Sequence, residues 1–152
     1  MHRIMIIGGP GSGKSWLAGA LATKLGLPLI AVDDHVWRAD HSVRPAGEID
    51  ARLRDAVGAD NWIIEGGNSR TYPDRLDRAT WLIRLKPSRI LRMARVLRRG
   101  PSRELLAWTW RYDSVFGRKD DTIVAAASDR IPVHDLRSKT QVMNLLNTMQ
   151  RQ

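Results

Sequence analysis

Apolar positions change their period several times along the chain. Short runs rich in branched residues at 3–7, 28–32, 61–65, 80–85 and 132–136 predict five strands. Between them, apolar residues recur at helical spacing: Leu17, Leu21 and Leu25, then Ile49, Leu53 and Val57, then Ile90, Ala94 and Leu97. Strands alternating with crossover helices build a parallel sheet covered on both faces, so the predicted class is a three-layer α/β domain. Gly100-Pro101 ends one helix and opens the next, since glycine suits the position after a helix end and proline the first turn. Leu105, Trp108, Thr109, Tyr112, Val115 and Phe116 then predict a helix over 102–116 with Trp108 in the core, and a further helix is expected over 119–128. This helical insertion interrupts the strand rhythm. Ser138-Lys139-Thr140-Gln141 reads as a capping box that opens a last helix striped by Val142, Leu145, Leu146 and Met149.

The segment Gly8-Gly9-Pro10-Gly11-Ser12-Gly13-Lys14-Ser15 satisfies G-x-x-x-x-G-K-[ST] and lies between the first strand and the first helix. In that setting the glycines let backbone N–H groups turn inward around a phosphate, and the helix adds its positive N-terminal end. These eight residues and the adjoining Trp16 are therefore expected to hold ATP. Lys14 is expected to reach the β- and γ-phosphates and the Ser15 hydroxyl to ligate Mg²⁺. No guanine-specifying N-K-x-D is present, and the chain is too short for the second domain of an oligomeric motor. A small phosphotransferase on a P-loop NTPase fold fits best.

Composition narrows the picture further. At 152 residues, 43% of them apolar and 27% charged, one globular domain over 1–152 is expected. Lys and Arg number 25 against 16 Asp and Glu, a formal charge of +9, which favours an anionic partner without saying which. The absence of cysteine excludes disulfides, thiol nucleophiles and Cys-ligated zinc. No apolar run approaches the roughly 20 residues of a membrane span, so a cytoplasmic protein with no membrane partner is expected.

Asp33 and Asp34 close the second predicted strand and Glu65 the third, where ligands gather in a doubly wound sheet. Asp33 can orient an acceptor hydroxyl or hold a water on Mg²⁺, and Glu65 suits the same metal shell. Asp34 serves equally well as a turn cap. Arg70 offers a rigid fork for phosphate or carboxylate. Among Arg92, Arg95, Arg98 and Arg99, Arg95 and Arg99 stand at i, i+4 and are the candidate cations for a moving phosphoryl group. Trp37 is a candidate wall of the acceptor site, and Trp110, two residues from Trp108, is exposed or faces the cleft. His35 and His41 near Asp40 lack a fixed metal-ligand spacing.

With the phosphate loop, Val32-Asp33 and Trp37, Trp62-Ile63-Ile64-Glu65-Gly66-Gly67-Asn68-Ser69-Arg70, and Leu136-Arg137-Ser138 resemble the DNA topology modulation protein family. That family is similar in turn to adenylate kinase and other small P-loop kinases. The resemblance implies a five-stranded parallel sheet, an acceptor site over 33–70 and a mobile lid carried by the insertion at about 100–129. It also implies that Glu65, Gly66 and Arg70 match an acidic-Gly-Arg motif whose arginine contacts an acceptor phosphate, with Glu65 standing where Asp is usual. Asp34 departs from the small or apolar residue often found there. Arg137 falls where related kinases pack the nucleotide base.

The function expected is Mg-ATP-dependent transfer of the γ-phosphoryl to a small acceptor, either nucleoside monophosphate-like and held by Arg70, or hydroxyl-bearing and served by Asp33. The alternatives are a nucleic-acid-binding NTPase linked to DNA topology, which has no helix-turn-helix or RNA-binding signature behind it, and an ATP-binding protein without turnover. For strand cleavage, only Tyr72 and Tyr112 are available as nucleophiles, and neither sits in a cleavage motif.

Overall fold

The computed structural model describes residues 1–149. Its strands β1 (Arg3–Gly8), β2 (Leu29–Ala31), β3 (Trp62–Glu65), β4 (Trp81–Leu85) and β5 (Val133–Leu136) form one parallel sheet in the order β2-β3-β1-β4-β5. All five predicted strands are present. Because side chains alternate along a strand, Ile4 and Ile6 of β1 enter one core and Met5 and Ile7 the other. On the first face lie α1 (Lys14–Leu25) and α8 (Lys139–Thr148), packed through Leu17, Leu21, Leu25, Leu145 and Leu146. On the second lie α3 (Ala46–Ala56), α4 (Tyr72–Arg78) and α7 (Gly117–Ser128), through Ile49, Leu53, Leu76, Ile123 and Ala127. The capping box forms as read, with Ser138 accepting from the Gln141 N–H and Gln141 accepting from the Ser138 N–H.

Between β4 and β5 the chain runs through α5 (Arg89–Leu97), α6 (Arg103–Val115) and α7. Gly100, at φ 65°, turns the chain between α5 and α6, and Ser102 caps α6. Within the insertion α7 packs on the sheet, while α6 packs on α5 and α7 and borders the cleft above the phosphate loop.

Three expectations are corrected. Strand β2 ends at Ala31, and Val32 opens a short helix, α2 (Val32–Val36), so Asp33 and Asp34 lie in a helical first turn rather than on a strand end. Carboxylates are favoured there by the helix dipole. The Ile90, Ala94 and Leu97 stripe faces outward, with Ile90 79% and Leu97 55% exposed, and α5 buries Arg92 and Val96 instead. Trp108 is not core: it remains 40% exposed, and Thr109 and Tyr112 are the residues α6 buries. The apolar periodicities were real but did not reveal that α5 packs against a polar loop, where a long cation is the better neighbour. Trp110 is exposed as expected, with the Arg89 guanidinium 4.9 Å over its ring. Among the described residues no helix is long and apolar enough to cross a membrane.

Candidate active site

The phosphate loop leaves the C-terminal end of β1, the central strand, where the order of strand addition reverses, β2 and β3 lying on one side and β4 and β5 on the other. Gly13 takes the N-cap of α1 in the left-handed region (φ 94°) and has no side chain to cap the helix, so first-turn N–H groups stay available to an anion. Gly11 is also left-handed (φ 71°) and lies against α5, where a Cβ would come 3.0 Å from Val96 and closer still to the Arg92 carbonyl oxygen.

Two arginines of α5 support this loop from behind. Arg92, 2% exposed, pairs with Asp113 of α6 and lies 5.7 Å from the Tyr112 ring centre. Arg95 donates from Nη1 to the carbonyls of Gly11 at 3.3 Å and Ser12 at 3.1 Å. Arg95 thus fixes the loop's shape, while Arg99, one turn on, is exposed beside it.

Beneath the loop, the Ser15 hydroxyl donates to Glu65 Oε1 at 3.0 Å. The other carboxylate oxygen, Glu65 Oε2, is buried with no partner, as is Ser12 Oγ. The two residues expected to share a metal shell are therefore in contact, and an unpaired carboxylate oxygen next to the Ser15 hydroxyl suits a hard divalent cation. Asp33 borders the same space as Lys14 and Ser15. Among the described residues no group of three or more His, Asp or Glu could hold a metal by itself, so His35 and His41 form no nest.

Two cavities open on either side of the loop. One, of about 420 Å³, is lined by Ser12, Gly13, Trp16, Leu85, Pro87, Leu91, Leu136 and Val142, with Arg95, Arg99, Arg137 and Lys139 adding positive charge. An apolar floor with basic residues around it suits a purine base and its phosphates. Arg137 lines it while 3.6 Å from Asp135, whose carboxyl the Arg84 fork holds below its usual value. The other cavity, of about 660 Å³, takes in Gly8, Pro10, Gly11, Lys14 and Ser15 on the loop side and Asp33, Trp37, Asn68, Ser69, Arg70, Tyr72, Trp108, Tyr112 and Phe116 opposite. Arg99 borders both.

Arg70 is not free. Its Nε and Nη2 donate to Asp50 Oδ1 at 3.1 and 2.9 Å, and Nη2 also to the Ala46 carbonyl at 3.2 Å. The loop that carries it is shaped by Arg75, fully buried, which donates to the carbonyls of Gly66, Gly67, Asn68 and Thr71. Burial lowers Arg75 to about 10, leaving it charged near neutrality. Gly66 (φ 128°) permits the turn, since a Cβ there would meet the Val32 Cβ at 2.8 Å. Arg75, Asp50 and Asp120 were missed in the sequence, and Arg92 was named among the α5 arginines but passed over for Arg95 and Arg99. Only Asp120 carried a signal, standing three and seven residues before the apolar Ile123 and Ala127.

No family model matches this sequence, and no curated protein is similar to it. Solved structures do resemble the fold. A shikimate kinase from Acinetobacter baumannii, in complex with shikimate, superposes with a TM-score of 0.66 at 14% identity, covering 97% of this chain and 90% of that one. A deoxyadenosine kinase from M. mycoides with bound dATP superposes at 0.59 with 16% identity, covering 97% and 98%. The chain therefore has the fold of the small P-loop kinases. The resemblance to the DNA topology modulation family is carried only by the residues quoted for it.

Proposed function

We propose that the protein is a phosphotransferase that moves the γ-phosphoryl of Mg-ATP to a small acceptor. The observation that carries this reading is the pair of cavities sharing the phosphate loop as their common wall, which suits two substrates brought together for in-line transfer. The nucleotide base occupies the cavity of Trp16, Leu136 and Arg137, and the phosphates lie on the loop's N–H groups and the N-terminus of α1. Lys14 draws charge off the β- and γ-phosphates as the transition state forms. Arg99, bordering both cavities, neutralises the moving phosphoryl, and Arg95 keeps the loop in register through its carbonyls. Ser15 and Glu65 would hold Mg²⁺, which when bound supplies charge neutralisation across the β- and γ-phosphates. α6, with Trp108 over the acceptor cavity, serves as the lid that excludes water.

The test is transfer of label from γ-labelled ATP to a panel of small acceptors, with Lys14→Ala in parallel. Wild type labels an acceptor, and Lys14→Ala loses about 10²–10³ in kcat, the range seen when one transition-state donor is removed. Label released only as inorganic phosphate would defeat this reading in favour of an NTPase.

A further inference from the structure

The acceptor cavity has an uneven distribution of charge. Among its described lining residues the cations are Lys14, Arg70 and Arg99. Lys14 and Arg99 stand at the phosphate loop, where the triphosphate needs them. Arg70 is held by Asp50 and the Ala46 carbonyl. A phosphate arriving at Arg70 would find Nε and Nη2 already taken and only Nη1 open, and it would lie beside the Asp50 carboxylate, a like-charge neighbour that costs affinity. Asp33, by contrast, has no hydrogen-bond or ion-pair partner for its carboxylate among the described residues, and it shares the cavity with Lys14 and Ser15.

The walls are aromatic. Trp108 meets Phe116 at 4.8 Å and 62° and Tyr112 at 6.1 Å and 86°, a packed cluster whose outer member stays open to the cavity. Trp37 lines the same cavity and is about half exposed. Exposed indole faces in a cavity gain most when a flat ring covers them.

Resting on the phosphotransferase reading, we propose that the acceptor is an uncharged alcohol carrying a flat ring. Asp33 is the base, and Asp50 disfavours phosphorylated acceptors by occupying Arg70. In the transfer the acceptor O–H gives its proton to the Asp33 carboxylate, and the oxygen forms a bond to the γ-phosphorus. The bond from that phosphorus to the bridging oxygen breaks, and ADP leaves with the electron pair. Asp33 then returns the proton to water.

The experiment uses the full chain with labelled Mg-ATP and three sets of probes: nucleosides, their 5′-monophosphates, and gluconate as a ringless acidic polyol. ATP binding by calorimetry and a melting temperature accompany each variant. Nucleosides should exceed their monophosphates and gluconate by about tenfold or more in kcat/KM. Asp33→Asn should lose about a hundredfold in kcat with ATP affinity unchanged. Asp50→Ala should narrow the gap between nucleoside and monophosphate about tenfold, because it frees Arg70. Preference for monophosphates or gluconate, or an Asp33→Asn variant that keeps its kcat, would overturn the acceptor assignment while the phosphotransferase reading stands. Label that stays on ATP or appears only as phosphate with every probe overturns both.

Discussion

Asp120 sits 5% exposed between two phenols, accepting from Tyr72 at 3.0 Å and from Tyr112 at 2.9 Å. Burial pushes its carboxyl above the usual value, while the two hydroxyls pull the other way. Burial likewise raises both phenols. Neither tyrosine is poised as a nucleophile, which removes the physical basis for strand cleavage. The three residues tie α4, α6 and α7 together, and Arg75 completes the group with its guanidinium 4.8 Å from the Tyr72 ring centre. Tyr72→Phe deletes one donor to a buried acid and should destabilise the fold by about 1.5–3 kcal/mol, the range for hydrogen bonds to charged groups. Urea unfolding measures it, and a change below about 0.5 kcal/mol would mean that water replaces the hydroxyl.

Helix α5 shows how an element's sequence pattern can point the wrong way. Its apolar Ile90 and Leu97 face outward because the other side must fit against the phosphate loop, whose carbonyls and close backbone approach call for Arg92, Arg95 and Val96. A polar surface is best covered by long cations whose stems pack while their heads bond. Leu97→Ser should therefore change stability by no more than about 0.5 kcal/mol. Val96→Ala, at a position nearly closed to water, should cost about 2 kcal/mol. Chemical denaturation of the two variants decides it, and equal losses would return α5 to an ordinary apolar packing role. By the same logic α1, whose Leu17, Leu21 and Leu25 meet the apolar strands and the apolar residues of α8, packs as its periodicity says.

For the molecule as a whole, pH acts through partly buried histidines. Burial lowers His35 and His134 from the usual 6.5. His134 stacks on Trp81, centroids 5.3 Å apart, and its Nε2 has no partner, so a proton there gains nothing in the fold. Below 6.5 the unfolded chain binds more protons than the folded one. Stability is therefore full above 6.5 and is lost as pH falls from there towards the lowered folded values. The raised carboxyl of Asp120 acts with the opposite sign, but it is common to wild type and variant. Between about pH 7.5 and about pH 5.5, wild type should lose more melting temperature than His134→Phe, which keeps the stacked ring without the proton. Equal losses in differential scanning calorimetry would show that His134 does not contribute.

The five strands, the phosphate loop, the stripes of α1 and α3 and the cap of α8 were all determined by the sequence alone. Each depends on local chemistry: short apolar runs rich in branched residues, glycine at positive φ, apolar spacing on one helix face, a serine and glutamine three residues apart. Ser15 and Glu65 were each legible as metal-shell candidates, Ser15 from the phosphate-loop motif and Glu65 from its place at the end of β3, but the contact between them comes from the pairing of β3 beside β1, which sets Glu65 under the first turn of α1. What only the tertiary structure decided is which arginine does what. Arg70 bound to Asp50, Arg75 beneath its loop, Arg92 paired with Asp113 and Arg99 between two cavities are one residue type read four ways. A guanidinium's role is set by the carbonyls and carboxylates that long-range packing places around it, and no spacing along the chain records them.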